Sequence, residues 1–377
     1  MIDFSWQRFF GLLMKEFNQF RRDRTTFIMI IGIPIIQLVM FGFAINTNPK
    51  HLPIALIDYD HGPFARTLIK GLENTGYFLI SDKYKTEQAA NNAMAANDIL
   101  FILTIPSDFS KKIVRGDKPI ALLEADGSDP VSIGYALSAA NGLMSSVFQF
   151  DFVGPLRKYQ TPTLPVELRT HVRYNPEIIT QYNIVPGLMG TILTITLVMV
   201  ASMALTREQE LGTLESLLMT PALPIEVIIS KVLPYVVVGY LQIMIIVFLA
   251  TTVFAVPMRG NIFLLFLLAL PFILSNLSVG MTISTLSSSQ LQASQTGIFF
   301  FLPSMLLSGF MFPFQGMPMW AQYIGIMLPM THFIALARGI MLKGIGFYEA
   351  WPNVWPILVF MLLAFYVAMK RYRKTLD

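Results

Sequence analysis

Long apolar runs separated by short polar segments dominate the chain, and six of these runs meet or approach the length of about 20 residues that a membrane-spanning helix requires. The predicted spans cover residues 25–46, 178–205, 232–256, 262–286, 293–312 and 355–369, so that spans 2–6 occupy 178–369. The composition agrees, since 54% of the residues are hydrophobic and only 13% are charged, whereas soluble domains carry about 25% charged residues. The pattern therefore predicts an α-helical integral membrane protein.

The lysine and arginine residues beside the spans predict its orientation. Six spans place both termini on the same side, and most basic residues near span ends fall on that side, which the positive-inside rule makes cytoplasmic. These residues are Arg8, Lys15, Arg21, Arg22, Arg24, Arg207, Lys231 and the basic tail 370–377 with Lys370, Arg371, Arg373 and Lys374. Arg259, Arg338 and Lys343 form a weaker set on the opposite side.

The region 47–177 between the first two spans differs in composition and predicts a folded extracytoplasmic α/β domain. Helical candidates cover Pro63–Asn74, Thr86–Asn97 and Pro106–Arg115, and a longer helical stretch covers Val131–Tyr159. They alternate with three strand-like runs, which read PIALIDYD, DILFILTIP and PIALLEAD.

Acidic residues close two of those strand-like runs and raise the question of a metal site. Asp58, Asp60 and His61 follow one run and Asp126 follows another, but aspartate also favours turns because its side chain bonds nearby backbone groups. We expect the turn role. The chain has no cysteine, its four histidines are dispersed, and no HExxH or GxSxG motif occurs, so the sequence offers no support for catalysis in this chain or for a metal.

Residues 260–337 contain no charged side chain but carry five prolines, so they cannot form one helix. We expect spans 4 and 5 joined by a short inner turn, followed by a broken hairpin at about 313–345 that re-enters the outer leaflet. Irregular backbone at that depth requires burial in protein or a watery cavity. The alternative is an ordinary outer loop in which Trp320 and Tyr323 anchor the interface.

The sequence contains no evident energy source for transport. The span interiors carry no ionisable residue, which disfavours coupling to protons or sodium. The spacing of Gly71 and Gly76 fits a phosphate loop, but Tyr77 and Phe78 stand where Lys and Ser or Thr are required. A net charge of +4, scattered along the chain, gives no nucleic-acid surface. Energy for uphill transport must therefore come from another polypeptide at the cytoplasmic face.

The longest charged element between spans on that face reads REQELGTLESLLMTP and predicts an amphipathic helix within 206–222. Four leucines form one stripe of that helix, with Glu208 and Glu215 on its flank and Gly212 in its middle. A glycine there weakens a helix by up to about 1 kcal/mol, so we favour a docking surface over the alternative, an amphipathic connector lying on the membrane.

This segment resembles the cytoplasmic loop of ABC-2 type permeases, the membrane subunits of ATP-binding-cassette exporters. The matching residues are Glu208, Glu210, Gly212, Thr213, Glu215, Leu217, Thr220 and Pro221. The runs KEFNQFRRDRTTF, YNPE and LPSMLLSGFMFPFQGMP are similar to the multidrug-efflux branch, whose members carry a large outer domain between spans 1 and 2. The resemblance extends over essentially the whole chain.

The resemblance implies a dimer of six-span subunits in a bacterial inner membrane, formed by two copies or with a sister permease. It implies two ATPase partner subunits, which bind the ATP and magnesium, and no cofactor in this chain; membrane lipids and a periplasmic adaptor are further candidate partners. Residues 1–24 would form a connecting helix, and 206–222 a coupling helix. The expected ATPase-docking residues are Glu208, Glu210, Gly212, Thr213, Glu215, Leu218 and Pro221.

Candidates for a substrate pathway lie on spans 2 and 5: Thr191, Thr194, Phe299, Phe300 and Met305. For the span 2 residues we favour close helix packing, and for the span 5 residues we favour contact with lipid, with an apolar substrate pocket as the alternative. The expected function is export of lipophilic or amphipathic small molecules. A membrane-anchored envelope binding or assembly protein without transport activity is the alternative, and it predicts that no ATPase copurifies.

Overall fold

The computed structural model describes residues 5–22, 24–46, 48–81, 83–96, 98–126, 130–148, 151–152, 174–175, 177, 179–212 and 223–374. The chain divides into two compact units. The first, which we call the membrane unit, comprises Met1–Ile45 and Arg173–Asp377, and the second, the inserted unit, comprises Asn46–Val172.

The regular elements of the membrane unit, within its described residues, are all helices. Its helices are α1 Trp6–Arg22, α2 Arg24–Ala44, α7 Thr180–Glu210, α8 Pro224–Thr252, α9 Ile262–Leu286, α10 Gln290–Leu307, α11 Met319–Met327, α12 Pro329–Arg338 and α13 Phe347–Lys374. A short 3₁₀ turn covers Phe314–Gly316, and a π-helical turn, Gly339–Lys343, follows α12 directly.

Among the described residues, four helices are long and apolar enough to cross a membrane: α7, α8, α9 and α13. The number rises to five if α11 and α12, which meet at a bend of 84°, form one broken span. The helices at the first and fifth predicted spans, α2 and α10, have 21 and 18 residues. Four to five apolar spans are therefore evident, and the six-span topology stays a prediction.

Helix α7 lies at the centre of the membrane unit, and small residues allow its neighbours to approach closely. A Cβ added at Gly190 would lie 2.9 Å from the Ile334 side chain of α12. A Cβ added at Gly280 of α9 would lie 2.8 Å from the carbonyl oxygen of Val198 in α7. The small residues of span 2 are thus a packing surface between helices, as the sequence favoured.

Asparagine at position 175 fixes the beginning of α7. Its side-chain oxygen accepts the backbone N–H of Ile179 at 3.0 Å, and its amide donates to the carbonyl of the same residue at 2.9 Å. The YNPE run, which carries this residue, therefore marks the junction at which the chain enters the second predicted span.

The inserted unit contains a four-stranded sheet in the order β2-β1-β3-β4. The strands are β1 Leu52–Asp58, β2 Phe78–Ser81, β3 Phe101–Ile105 and β4 Leu122–Ala125. Strand β1 pairs in parallel with β2 and β3, whereas β4 runs antiparallel to β3. Apolar residues on both faces of the sheet are buried against helices, which makes this unit an α/β layer.

The helices of the inserted unit are α3 Pro63–Asn74, α4 Glu87–Ala95, α5 Phe109–Arg115 and α6 Pro130–Met144. The first agrees with its prediction at both ends. The long helix predicted over 131–159 is wrong at its described continuation, because α6 ends at Met144 and residues 145–148 form turns, whereas 149–150 and 153–159 lie outside the described residues. The hydroxyls of Ser145 and Ser146 donate to the carbonyls of Gly142 and Leu143 and so compete with the helical pattern there.

Asp58 and Asp60 stabilise the turn after β1, as predicted. The Asp58 carboxylate accepts the backbone N–H groups of Asp60 and His61 at 2.9 and 3.2 Å. The Asp60 carboxylate accepts the N–H groups of Gly62 and Ser110, each at 3.1 Å, and the hydroxyl of Ser110. These carboxylates therefore connect the turn to the beginning of α5.

Candidate functional site

The predicted coupling segment begins where α7 ends. The last helical residue is Glu210, and Gly212 adopts φ +68°, a left-handed conformation that typically terminates a helix and that glycine reaches without a steric penalty. One helix through 206–222 with Gly212 in its middle is therefore wrong at this point. The glycine ends α7, and residues 213–222 lie outside the described part of the chain.

Four charged side chains meet at the ends of α7 and α8 that flank this segment, and we call them the anchor cluster: Lys15, Glu16, Glu208 and Lys231. The ammonium of Lys231 lies 2.9 Å from Glu208 and 3.1 Å from Glu16. Lys15 also contacts Glu208 at 2.9 Å. Glu208 and Lys231 are only 3% and 2% exposed, so α1, α7 and α8 are joined by ion pairs inside the protein.

A second ion pair, centred on Glu226, joins α1 to the beginning of α8. Arg8 donates to both carboxylate oxygens of Glu226, at 3.1 and 3.3 Å, in the bidentate geometry that arginine favours. The backbone N–H groups of Ser5 and Leu223 donate to the same carboxylate at 2.7 and 2.9 Å. Glu226 is fully buried, and its position in the first turn of α8 also suits the helix dipole.

The sequence of α1 explains why it takes this position. Phe9 and Leu13 are buried, and Arg8, Lys15 and Glu16 reach the carboxylates and ammonium of α7 and α8. Beside the buried residues, the helix exposes a stripe at intervals of four residues, formed by Trp6, Phe10 and Met14. The helix is therefore amphipathic, and its charged contacts hold both flanks of the 213–222 segment.

Glu210 makes a separate contact between α7 and the beginning of α10. Its carboxylate accepts the backbone N–H of Gln290 at 2.7 Å and the side-chain amide of the same residue. A carboxylate at a helix N-terminus satisfies an unpaired N–H and is favoured by the dipole. The end of α7 is thereby connected to the helix of the fifth predicted span.

Comparison with known proteins shows in which protein family this arrangement occurs. A family model described as ABC-2 family transporter protein matches residues 24–370. The chain belongs to the ABC-2 transporter family. This ABC-2 permease is a non-catalytic, multi-pass membrane subunit, and permeases of the family generally work with an ATP-binding subunit.

Three relatives indicate how broadly the permease resembles other transporters. It is 29% identical over 345 residues to the probable multidrug ABC transporter permease YbhS of Escherichia coli, with 90% of each chain covered. It is 27% identical over 386 residues to the E. coli inner membrane transport permease YhhJ, with 97% of each chain covered. ABC transporter G family member 20 of Dictyostelium discoideum is 24% identical, over 94% of this chain and 49% of that protein.

The structure describes three of the seven predicted docking residues. Glu210 and Gly212 are exposed at the end of α7, whereas Glu208 is buried in the anchor cluster and is not part of an exposed surface. The remaining predicted residues lie outside the described part of the permease: Thr213, Glu215, Leu218 and Pro221.

The five predicted pathway residues do not share one environment in the permease. Thr191 and Thr194 are buried, and their hydroxyls donate to the carbonyls of Leu188 and Gly190 in their own helix. Phe299 is 79% exposed, while Phe300 and Met305 are partly buried and pack against two separate hydrophobic clusters. Of the five, Phe299 is therefore the residue best placed to contact lipid or a second subunit.

In the sequence, Lys15 and Lys231 marked the cytoplasmic side, Glu226 and Lys231 followed the family motif, and neither Glu16 nor Glu226 was predicted as a site residue. One feature of the sequence does point to Glu16 and Glu226. Acidic residues stand beside apolar runs where lysine and arginine otherwise dominate, and each acquires a basic partner from a different helix. Those pairings are separated by more than 200 positions, 215 for Lys231 and Glu16, so a single sequence does not reveal them.

Proposed function

We propose that the chain is the membrane-spanning subunit of an ATP-driven exporter that moves lipophilic or amphipathic small molecules, drugs among them, out of the cytoplasm or the inner leaflet. The energy comes from ATP, bound with magnesium and hydrolysed by a separate nucleotide-binding subunit beneath the 206–222 segment. The word multidrug in the description of YbhS supports the substrate class, and the absence of charged residues from 260–337 suits apolar cargo.

The observation that carries the proposal is the attachment of both flanks of the 213–222 segment to α1. Lys231 and Glu226 lie on α8, Glu208 lies at the end of α7, and all three are buried in ion pairs with α1. The ends of α7 and α8 that flank the segment are thus held together through α1, so a force that a partner applies there acts on both helices at once.

The proposed topology has six spans, both termini in the cytoplasm, and the inserted unit outside the inner membrane of a bacterium. The permease pairs with a second copy or a sister permease, and exposed Phe299 on α10 is a candidate for that contact. Membrane lipids surround the bundle, and a periplasmic adaptor is a candidate partner of the inserted unit. The name of YhhJ, an inner membrane transport permease, supports the location.

The test is copurification of the permease with its ATPase and measurement of ATP turnover and efflux. Glu215→Lys is expected to release the ATPase and abolish efflux while the permease stays inserted. Charge reversal at Glu208 is unsuitable, because it would place a third cation beside Lys15 and Lys231. Glu349→Lys, at the beginning of α13, is the matched control and should leave both activities unchanged.

Two results would contradict the proposal. The first is a Glu215→Lys permease that retains its ATPase, its substrate-stimulated ATP turnover and its efflux. The second is a native permease that copurifies with no nucleotide-binding subunit at all, which would favour an envelope binding protein. If neither result is found, a panel of neutral, cationic and anionic amphipathic compounds, tested for stimulation of ATP turnover, defines the class of substrate.

A further inference from the structure

Arg338, the last residue of α12, is paired with no carboxylate in the described part of the chain. Within the described residues no Asp or Glu oxygen lies within 4.0 Å of its guanidinium, and its Nη2 is buried without a hydrogen-bond acceptor. It contacts the beginning of α7, about 25 residues or roughly 37 Å along the helix from Glu208. Arg338 is only partly buried, but a buried N–H without an acceptor is costly, so its retention calls for a reason.

The guanidinium joins α12 to the beginning of α7 and to the segment that follows α10. Its Nε donates to the carbonyl of Asn183 in α7 at 3.2 Å, and its Nη1 donates to the carbonyl of Gly309, just after α10, at 3.1 Å. Two acceptors on different helices match the planar fork of arginine, whereas a lysine ammonium has no such fixed geometry. The bent pair α11–α12 is thus held to α7 and α10 by one side chain.

Two glycines shape the space that Arg338 occupies. Gly309 adopts φ +78°, which presents its carbonyl to the guanidinium in a conformation that other residues rarely reach. A Cβ added at Gly187 of α7 would lie 3.1 Å from Nη2 and 2.7 Å from the ring of Phe310, which is itself buried. The contact is therefore built from the backbone of two elements and a side chain from a third, and little space is left around it.

The two ends of α7 differ in how their charges are satisfied. At the loop end, Lys231 and Lys15 meet carboxylates, which favours a permanent connection. At the other end, Arg338 meets carbonyl groups only and leaves one buried N–H unpaired. Separation there would cost two hydrogen bonds but would expose the guanidinium fully to water, so it costs less free energy than separation of the buried ion pairs at the loop end.

We propose that Arg338 is a positioning residue that holds the ends of α7 and α10 closed against the bent pair α11–α12, and that it releases these carbonyls when the transport pathway opens. The inference rests on the proposed export function, because it assigns the closing contact of that pathway. It adds a residue on the face opposite the ATPase, where the sequence offered no candidate.

The absence of native cysteine makes this proposal directly testable by labelling. Ser308→Cys places a thiol in a buried position beside Gly309, and its reaction with a water-soluble maleimide is measured on the purified permease in detergent, where both faces are accessible, without nucleotide. Arg338→Met and Arg338→Lys are each expected to raise the labelling rate at least about tenfold, the change expected from losing a hydrogen bond to a charged group. Trp320→Cys, exposed on α11, is the control and should label equally in every background.

A second buried thiol distinguishes opening from unfolding. Ser284→Cys lies in α9 against the loop end of α7, where Ser284 accepts the N–H of Leu205 at 2.9 Å, and it should stay protected in both Arg338 variants. Unchanged labelling of Cys at 308 would overturn the proposal, and so would equal labelling at 284 and 308, because Arg338 would then be only structural. Labelling requires no transport, so a failure of the export function in a substrate assay is recognised separately.

Discussion

Removal of Lys231 should destabilise the permease far more than removal of Lys15, although both contact the same carboxylate at 2.9 Å. The Lys231 side chain is 3% exposed, whereas that of Lys15 is 44% exposed. Breaking a buried pair by removing one partner typically costs 3–5 kcal/mol. Because Glu208 keeps Lys15 in the Lys231→Met variant, we expect the lower end of that range, about 3 kcal/mol.

The comparison with Lys15 gives the matched control. In Lys15→Met, Glu208 keeps its buried partner, and a half-exposed pair contributes at most about 1 kcal/mol. The double variant Lys231→Met, Glu208→Leu removes both buried charges, and an apolar replacement of a buried pair is often neutral or stabilising. We therefore expect its stability to return to near the native value. Thermal unfolding of the purified permease, followed by tryptophan fluorescence, measures the stability of all three variants.

The same variants separate stability from energy transfer. If the anchor cluster transmits movement of the 213–222 segment, the double variant should be stable and should hydrolyse ATP in its complex, yet export less substrate per ATP. Equal destabilisation by Lys15→Met and Lys231→Met would refute the burial argument. If the double variant is as unstable as Lys231→Met, the instability of Lys231→Met does not come from a Glu208 carboxylate left without its buried partner.

Three further predictions follow from single contacts. Arg8→Ala should loosen α1 from α8, because Glu226 loses its bidentate partner, and limited proteolysis should then cleave α1 faster than in the native permease. Gly212→Ala should cost about 1 kcal/mol through its left-handed φ of +68°, while Gly212→Asn should cost less, and ATPase copurification with both variants measures the effect on docking. Gly280→Ala should lower the thermal stability of the permease, because its Cβ would lie 2.8 Å from the Val198 carbonyl, and a melting curve that matches the native one would contradict this packing.

The sequence predicted the elements of the fold well where local signals are strong. Pro63 at the first helical position and the apolar face of α3 predicted that helix at both ends. The span boundaries followed from apolar runs, and α9 agrees with its predicted bounds of 262–286. Strand β2, with only four residues, was missed because so short an apolar run carries no periodic signal.

The candidate site was predicted only in part, because its geometry depends on contacts between distant segments. The family motif directed attention to Glu208, but a helical projection treats each acidic residue as exposed, and Glu208 is buried by Lys15 of α1 and Lys231 of α8. Similarly, the motif glycine at 212 was interpreted as a weak point within a helix. The positive φ of Gly212 shows that this residue terminates α7, and only the backbone conformation reveals that difference.

The contacts at the two ends of α7 and α10 suggest how a force on the loop could reach the far side of the membrane unit. At the loop end, Glu210 joins α7 to Gln290 of α10, and at the far end Arg338 bridges Asn183 and Gly309. The two helices are thus connected to each other at one end and to a third element at the other. If α7 is displaced along its axis, we expect the Arg338 contact to break before the anchor cluster. The Arg338 contact contains no carboxylate, so its separation costs the least free energy. The proposed mechanism therefore predicts that opening begins at Arg338 while the anchor cluster stays intact.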